Sequence, residues 1–295
     1  MFELIKLGDN TYCYTMPTNV GIYRRADNRV YIIDTGVNER SGKRILSVIE
    51  EHGWTVEAVI LTHAHTDHAG GCRYITETTG CKAYATAAER IFVENPDLEP
   101  AMVYGAFPCR DFRGKFMNTP ACPVRDICEL QLPMGMELIH LPGHFADMIG
   151  VRTPDDVYFM ADSVIAAETL TKCPMSYIFD IESQYRTLDM LKKYQGKLCV
   201  PSHAAPTKDI ACLAEKNREA LDKVNSRLRD LLRTPETLEG LTASLTCEWE
   251  LADTYGQYVM TLSGVRGHLT YLRHRGEVDY HFEGHQMLWE LSDKA

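Results

Sequence analysis

The segment Thr62-His63-Ala64-His65-Thr66-Asp67-His68-Ala69-Gly70-Gly71 follows directly on the apolar run VEAVIL and packs three histidines and an aspartate into six positions. A short apolar run bounded by turn residues reads as a buried strand, so these donors belong to a loop at the strand's C-terminal end. A loop in that place turns several side chains inward together. Imidazole and carboxylate donors suit Zn, Fe or Mn, and a merely solvated loop has no use for histidines alternating with small residues. The fold must therefore bring a strand end, with its loop, to the middle of a layered α/β structure.

The rest of the chain supplies such a structure. FELIKL, TYCYTM, VGIYRR and VYIIDTG read as short strands separated by the turns GDN, PTN and ADN. SGKRILSVIEEHG sets Ile45, Leu46, Val48 and Ile49 at helical spacing, with Gly53 as a stop before VEAVILT. After the histidine loop, CRYITETTG predicts a short helix, and CKAYAT followed by AAERIFVEN repeats the change from strand to helix. Residues 96–133 carry Pro96, Pro100, Pro108, Pro120, Pro123 and Pro133 and predict an irregular excursion with little regular structure. Strands resume in MELIHLPGH, DMIGVRT and VYFMADS. They are followed by a helix over 182–194, the strand KLCVPSH, and a long helix from Asp209 to about Thr234-Pro235 with Ile210, Leu213, Ala214, Leu221, Val224, Leu228 and Leu231 on one face. From 236 onward the pattern changes to two short helical stretches, then SGVRGHLTYLRHRG, then the alternating pair EVDYHF and QMLWEL around Gly284-His285. The organisation expected is a catalytic domain at 1–235 and a small winged-helix-like appendage at 236–295.

Three further donors recur at strand ends: His144 in LPGHFAD, Asp162 in VYFMADS and His203 in LCVPSHAAP. Together with His63, His65, Asp67 and His68 they make seven, enough for two adjacent divalent ions sharing one carboxylate. The pattern HAHTDH resembles the HxHxDH signature of the metallo-β-lactamase superfamily, whose fold is an αββα sandwich. The resemblance covers about residues 2–235. It implies that His63, His65 and His144 hold a first metal ion, that Asp67, His68 and His203 hold a second, and that Asp162 bridges them. It also implies two divalent cofactor ions, zinc first with iron or manganese as alternatives, which activate a shared water as nucleophile, and Asp67 as catalytic proton acceptor. Asp34, in YIIDTG, matches the family's IDTG-like segment and is expected to support a ligand from behind. The true β-lactamases of the superfamily have a cysteine where this chain has Asp162, so the chain resembles the glyoxalase II-like dinuclear hydrolases instead.

Composition narrows the choice of substrate. The 295 residues carry 31 Lys and Arg against 41 Asp and Glu, a formal charge of -10, and residues 241–295 alone hold four basic against eight acidic residues. That balance weighs against a phosphate-gripping surface. The chain's end resembles the winged-helix end of the beta-lactamase-like endoribonuclease branch more than the helical glutathione-binding end of glyoxalase II. The leading expectation is therefore a hydrolase of a small ester, thioester or lactone, with a phosphodiesterase or single-strand endoribonuclease as the alternative. An iron-dependent oxidoreductase of the flavodiiron type normally carries a flavodoxin domain, and the roughly 60 residues left over are too short for one. A non-catalytic binding protein is disfavoured, because crowded imidazoles and carboxylates are costly to bury without metal.

No basic and apolar leader opens the chain and no apolar run approaches the roughly 18 to 20 residues that cross a bilayer, so a cytoplasmic protein without a membrane partner is expected. Its partners would be a small-molecule substrate and, through the appendage, a second copy of the chain, with nucleic acid as the less favoured alternative. None of the ten cysteines forms a CxxC. They read as reduced thiols, and the spacing of Cys109, Cys122 and Cys128 fits no zinc knuckle. Tyr104, Phe107, Phe112, Phe116 and Met117, with Arg110, Arg113 and Lys115, are candidates to line or cover a pocket, as are Tyr177 and Phe179.

Overall fold

The computed structural model describes residues 2–113 and 119–292. Among these residues the first half of the chain builds β1 (Glu3–Lys6), β2 (Thr11–Thr15), β3 (Val20–Arg24), β4 (Arg29–Ile33), α1 (Glu39–Glu51), β5 (Thr55–Ile60), α2 (Thr66–Ala69), α3 (Cys72–Thr79), β6 (Lys82–Ala85), α4 (Ala87–Glu94), α5 (Leu98–Tyr104) and β7 (Val124–Asp126). The second half adds β8 (Glu137–His140), β9 (Ile149–Arg152), β10 (Val157–Phe159), α6 (Ala167–Lys172), α7 (Ile181–Leu191), β11 (Leu198–Val200), α8 (Ile210–Leu231), α9 (Leu238–Glu248), α10 (Tyr255–His274), β12 (Val278–Glu283) and β13 (Gln286–Leu291). β1 to β7 lie in chain order in one sheet, β11-β10-β9-β8 form a second, and β12 pairs with β13 in a separate hairpin. The first sheet starts as an antiparallel meander through β4 and continues as parallel strands once helices carry the crossovers.

Alternation along the strands explains the layering. In β4, Val30 and Ile32 join Ile45 and Ile49 of α1, Ile75 of α3 and Val93 of α4 in the outer core. Tyr31 and Ile33 point the other way and meet Ile149, Val151, Val157 and Phe159 of the second sheet. That sheet's far face, with Tyr158 and Met160, is covered by Ile181 and Leu188 of α7 and Ile210 of α8. The result is helix, sheet, sheet, helix: the αββα sandwich. Burying each such Val, Ile or Phe side chain contributes about 1.5–3 kcal/mol, which is why strands covered on both faces read as continuous apolar runs. Gly21 lets the two sheets approach, since a Cβ there would lie 2.7 Å from the Phe159 ring.

Two stretches differ from the sequence reading. Residues 96–133 contain the helix α5 and the strand β7. Pro100 falls in the first turn of α5, where a backbone N–H has no partner within the helix, so proline does not break it. Toward the C-terminus, SGVRGHLTYLRHR is the latter part of one 20-residue helix, α10. Its Leu269 and Leu272 pack with Leu241 and Leu245 of α9, Val224 and Leu228 of α8 and Val278 of β12 in a further core. No helix among the described residues is long and apolar enough to cross a membrane.

Candidate metal centre

The C-terminal ends of the strands converge at one edge of the sandwich. Asp34 follows β4, the His63–His68 loop follows β5, His144 lies in the loop between β8 and β9, Asp162 sits in a 3-10 turn after β10, and His203 follows β11. All seven expected ligands meet there, in three groups whose donor atoms lie within 4.8 Å of one another: His63, His65 and His144; His63, His68 and Asp162; and Asp67, His68 and His203. His65 Nδ1 is 3.1 Å from His63 Nε2 and 2.9 Å from His144 Nε2. His203 Nε2 is 3.1 Å from Asp67 Oδ2 and 3.2 Å from Asp162 Oδ2, while His68 Nε2 is 3.2 Å from Asp162 Oδ1.

These contacts fit cations. A neutral imidazole has one N–H, so three ring nitrogens pointed at a common spot cannot all be satisfied by protons. His68 Nε2 and Asp162 Oδ1 are buried without a hydrogen bond among the described residues. A divalent ion beside each group would satisfy them together.

The polypeptide holds the donors in register. Asp34 is buried with φ 63°, a left-handed conformation that aspartate tolerates, and accepts hydrogen bonds from Thr62 N–H and Thr62 Oγ1, each at 2.8 Å. Its Oδ2 is also 2.8 Å from His68 Nδ1, which leaves Nε2 of that ring facing the cluster. Thr18 donates to Asp67 Oδ2 at 2.8 Å, and His203 Nδ1 lies 3.1 Å from the Pro17 carbonyl. Glu89, in α4, accepts from the N–H groups of Ala64 and Asp147 at 2.9 and 2.8 Å, tying the histidine loop to the loop that carries His144.

Charge follows burial. Burial lowers the His63 and His144 rings and brings His65 down to about 3, so these three are neutral donors. Burial also works against a charged His68, but Asp162, Asp67 and Asp34 outweigh it and hold that ring well above its ordinary value. His203 is pushed up to about 10 as Asp162 and Asp67 overcome its burial. Burial would raise the carboxyls of Asp67 and Asp162, yet His68 and His203 hold both far below the usual range. The site is a concentrated negative field that calls for positive charge.

A cavity of about 280 Å³ opens over the cluster, lined by His65, Asp67, His144, Asp162 and His203 together with Glu99, Val103, Ser176, Tyr177 and Met260. Tyr177 is thus at the mouth as expected. Phe179, 45% exposed, and Phe107, 65% exposed, are not among its lining residues. Phe112 is buried and packs with Val103 and Val259 instead, and Arg113 lies over the Phe107 ring at 4.5 Å. Tyr104 and Arg110 also stay off the cavity wall, while Lys115, Phe116 and Met117 lie outside the described residues. Sequence reasoning missed Glu89, Glu99, Thr18 and Met260. Of the cysteines, Cys122 lies 3.6 Å from Cys72, and Cys109 and Cys128 are exposed.

Residues 14–203 match the metallo-beta-lactamase superfamily. Among curated proteins, a hydroxyacylglutathione hydrolase of Cereibacter sphaeroides is 28% identical over 149 residues, covering 48% of this chain and 49% of the relative. An uncharacterized protein of Mycobacterium leprae is 28% identical over 150 residues, covering 50% of this chain and 64% of its own length. The chain spans about half the length of the curated hydrolases it matches. Two solved structures share the fold over nearly the whole chain. A beta-lactamase domain protein from Burkholderia ambifaria has a TM-score of 0.71 at 16% identity, covering 98% of this chain and 94% of that one. A metallo-beta-lactamase family protein from Thermus thermophilus has a TM-score of 0.68 at 19% identity, covering 99% and 98%.

Proposed function

This chain belongs to the metallo-beta-lactamase superfamily, and from that premise we propose that it hydrolyses a small ester, thioester or lactone. It is a metal-dependent hydrolase with a dinuclear centre. In our reading His63, His65 and His144 hold one ion, Asp67, His68 and His203 hold the other, and Asp162 lies between them. When bound, two divalent cations, zinc first with iron or manganese as alternatives, polarise the substrate carbonyl and bring the pKa of water toward neutrality.

The chain's own residues do the rest. Asp67 Oδ2, fixed by the Thr18 hydroxyl, would take up the proton that the attacking water gives up and be neutralised by it, while His203 beside it would serve as a ligand to the ion. Asp34 holds the Nδ1 proton of His68, so that with an ion bound Nε2 is the ring nitrogen left to ligate it. Phe145, buried with its ring centroid 4.6 Å from that of His65, keeps water from the back of the site.

The observation that carries the acyl reading is the cavity. At about 280 Å³ it suits a small group, and its described lining contains no Lys or Arg to meet a run of phosphates. The relatives named as hydroxyacylglutathione hydrolases support a thioester within this class. The sequence of α9, α10 and the β12–β13 hairpin supports our reading of 236–295 as a winged-helix-like appendage on a catalytic region at 1–235, with Met260 of α10 reaching the cavity. The test is a hydrolysis panel on metal-loaded protein: lactones, acyl thioesters, β-lactams, phosphodiesters and short RNA, with His65→Ala and Asp162→Ala as controls. Turnover of acyl substrates that both variants lose is the expected result. Turnover confined to RNA or phosphodiesters overturns the acyl assignment, and full activity in both variants overturns the site.

A further inference from the structure

Two of the ten cysteines are buried against each other on the outer face of the first sheet: Cys72, 0% exposed, and Cys122, 1% exposed, with their Sγ atoms 3.6 Å apart. Both belong to the core that α1, α3 and α4 build over that sheet. The segments that carry them are fixed independently. Cys72 opens α3 directly after Gly71, where a Cβ would run into the Thr35 carbonyl, so the start of the helix is held against the loop after β4. Cys122 leads into β7. Its N–H donates to the Val93 carbonyl of α4 at 3.3 Å, and Thr119 Oγ1, three residues earlier, donates to Thr66 Oγ1 at 2.8 Å. The two thiols stand 50 residues apart in the chain, with β6, α4 and α5 between them.

Contact alone is what two small core hydrophobes would show. This pair differs in that its sulfurs are unlike. Cys72 donates its proton to Cys122, which favours the Cys122 thiolate against burial, while the same contact and burial hold the Cys72 thiol protonated. A ready thiolate beside a second, resolving thiol is the arrangement that reversible cysteine oxidation requires. Access is through one layer of side chains. Thr76 Oγ1 lies 3.5 Å from Cys122 Sγ, and on either side of it Arg73 and Glu77, with side chains 51% and 64% exposed, are close enough for their charges to act on Cys122. A disulfide holds its sulfurs at about 2.05 Å, so the two must close by about 1.5 Å, a distance that side-chain rotation covers.

We propose that Cys72 and Cys122 are a redox modification site, a dithiol that a hydroperoxide converts to an intramolecular disulfide. The Cys122 thiolate attacks one oxygen of the hydroperoxide, the O–O bond breaks, and Cys122 becomes a sulfenic acid while the departing alkoxide takes up a proton as alcohol. The Cys72 sulfur then attacks the Cys122 sulfur. The S–O bond breaks, and hydroxide leaves with the Cys72 proton as water. The two thiols have lost two electrons and two protons, and the peroxide has become one alcohol and one water. The new bond straps the end of the excursion, whose α5 lines the cavity, to the helix that follows the histidine loop. The inference is independent of the substrate turned over at the metal centre.

The test uses the whole chain loaded with zinc, which has no redox chemistry of its own. Reduced protein is treated with a small excess of hydrogen peroxide, denatured, alkylated and digested without reduction. A peptide pair joining Cys72 to Cys122, lighter by two hydrogens and absent after dithiothreitol, is the expected product. The oxidised protein should melt roughly 5 °C higher than the reduced one, from closing a loop of this length, and dithiothreitol should reverse the shift. Cys72→Ser and Cys122→Ser should each abolish the link and the shift, whereas Cys81→Ser, at the half-buried third thiol of this region, should keep both. The wild-type digest decides the pairing even if a serine variant fails to fold. Recovery of Cys72 and Cys122 both alkylated overturns the proposal, as does a link from either one to another cysteine or Cys122 over-oxidised beside a free Cys72. A Cys72–Cys122 link with an unchanged melting temperature overturns the strap.

Discussion

Replacing Asp34 by asparagine changes one oxygen to an amide nitrogen and keeps everything else, including tolerance of the left-handed backbone at φ 63°. The native carboxylate accepts three contacts at 2.8 Å, from Thr62 N–H, Thr62 Oγ1 and His68 Nδ1. Asparagine retains an acceptor for Thr62 N–H. Its NH₂ then faces His68 Nδ1, a donor against a donor, and the cheapest relief is for His68 to move its proton to Nε2. That proton sits where a metal ion would bind. Loss of such a supporting carboxylate typically costs 10–100-fold in metal affinity, about 1.4–2.7 kcal/mol. The loss should fall on the ion held with His68, Asp67 and His203, while the ion held by His63, His65 and His144 binds nearly as before. Asp34→Ala should act on stability as well. It strips acceptors from buried donors at about 1–3 kcal/mol each, so the metal-free protein should lose about 3 kcal/mol or more. Competition with a chromophoric chelator resolves the two binding steps, and urea unfolding of the metal-free proteins gives the stability difference. An Asp34→Asn protein that binds both ions with wild-type affinity would refute the tautomer argument outright.

Gly70→Ala should be poorly tolerated, because its Cβ would come within 2.3 Å of the Val37 carbonyl group and 2.6 Å of Thr66 O, all of it backbone. A loss of about 3 kcal/mol and a lower melting temperature are expected, and an unshifted melting curve would show that the loop yields. Glu89→Ala leaves the N–H groups of Ala64 and Asp147 without their acceptor and should cost about 3 kcal/mol, with Glu89→Gln recovering part of it; equal stability of all three proteins in urea would contradict the bridging role. His268 is buried against Asn225 and burial lowers its ring from 6.5 to about 3. The unfolded chain therefore binds a proton that the folded chain refuses. The stabilisation is complete above about pH 6.5 and is lost as pH falls toward 3, by about 2 kcal/mol between pH 7 and pH 5. Wild type should lose that much more than His268→Gln in urea unfolding across the interval, and parallel losses would rule the effect out.

What could be read in advance was whatever is local. The seven donors stand directly after apolar runs, and an apolar run fixes both the strand and the end at which its loop emerges. Asp34 was legible for the same reason, at the end of VYIID. Glu89 was not, since AAERIFVEN shows an acid on an amphipathic helix and only the tertiary fold turns it inward to meet Ala64 and Asp147. Glu99 lies between Pro96 and Pro100 in a stretch whose prolines look like breaks, although one of them merely opens a helix. α10 was obscured by Gly256, Gly264 and Gly267. Packing does not require them: a Cβ at Gly264 would lie 3.7 Å from Met175 and one at Gly267 3.5 Å from the Ile178 carbonyl, both ordinary contacts. Helix propensity penalises each glycine by about 1 kcal/mol, and the burial of Val265, Leu269 and Leu272 beside them more than offsets it.

The acidic balance of the chain takes on a narrower meaning once the cavity is known. Net charge weighs against polyanions only where the field reaches the reacting centre, and exposed charges on the β12–β13 hairpin are screened within about 8 to 10 Å at physiological salt. Glu99 lines the cavity itself, but its burial, together with Asp67, pushes its carboxyl up to about 8, so near pH 7 it adds little charge to the wall. The charge that meets a substrate is therefore set by Asp67, Asp162 and whatever cations they hold, and the acidic surface of the chain has little part in it.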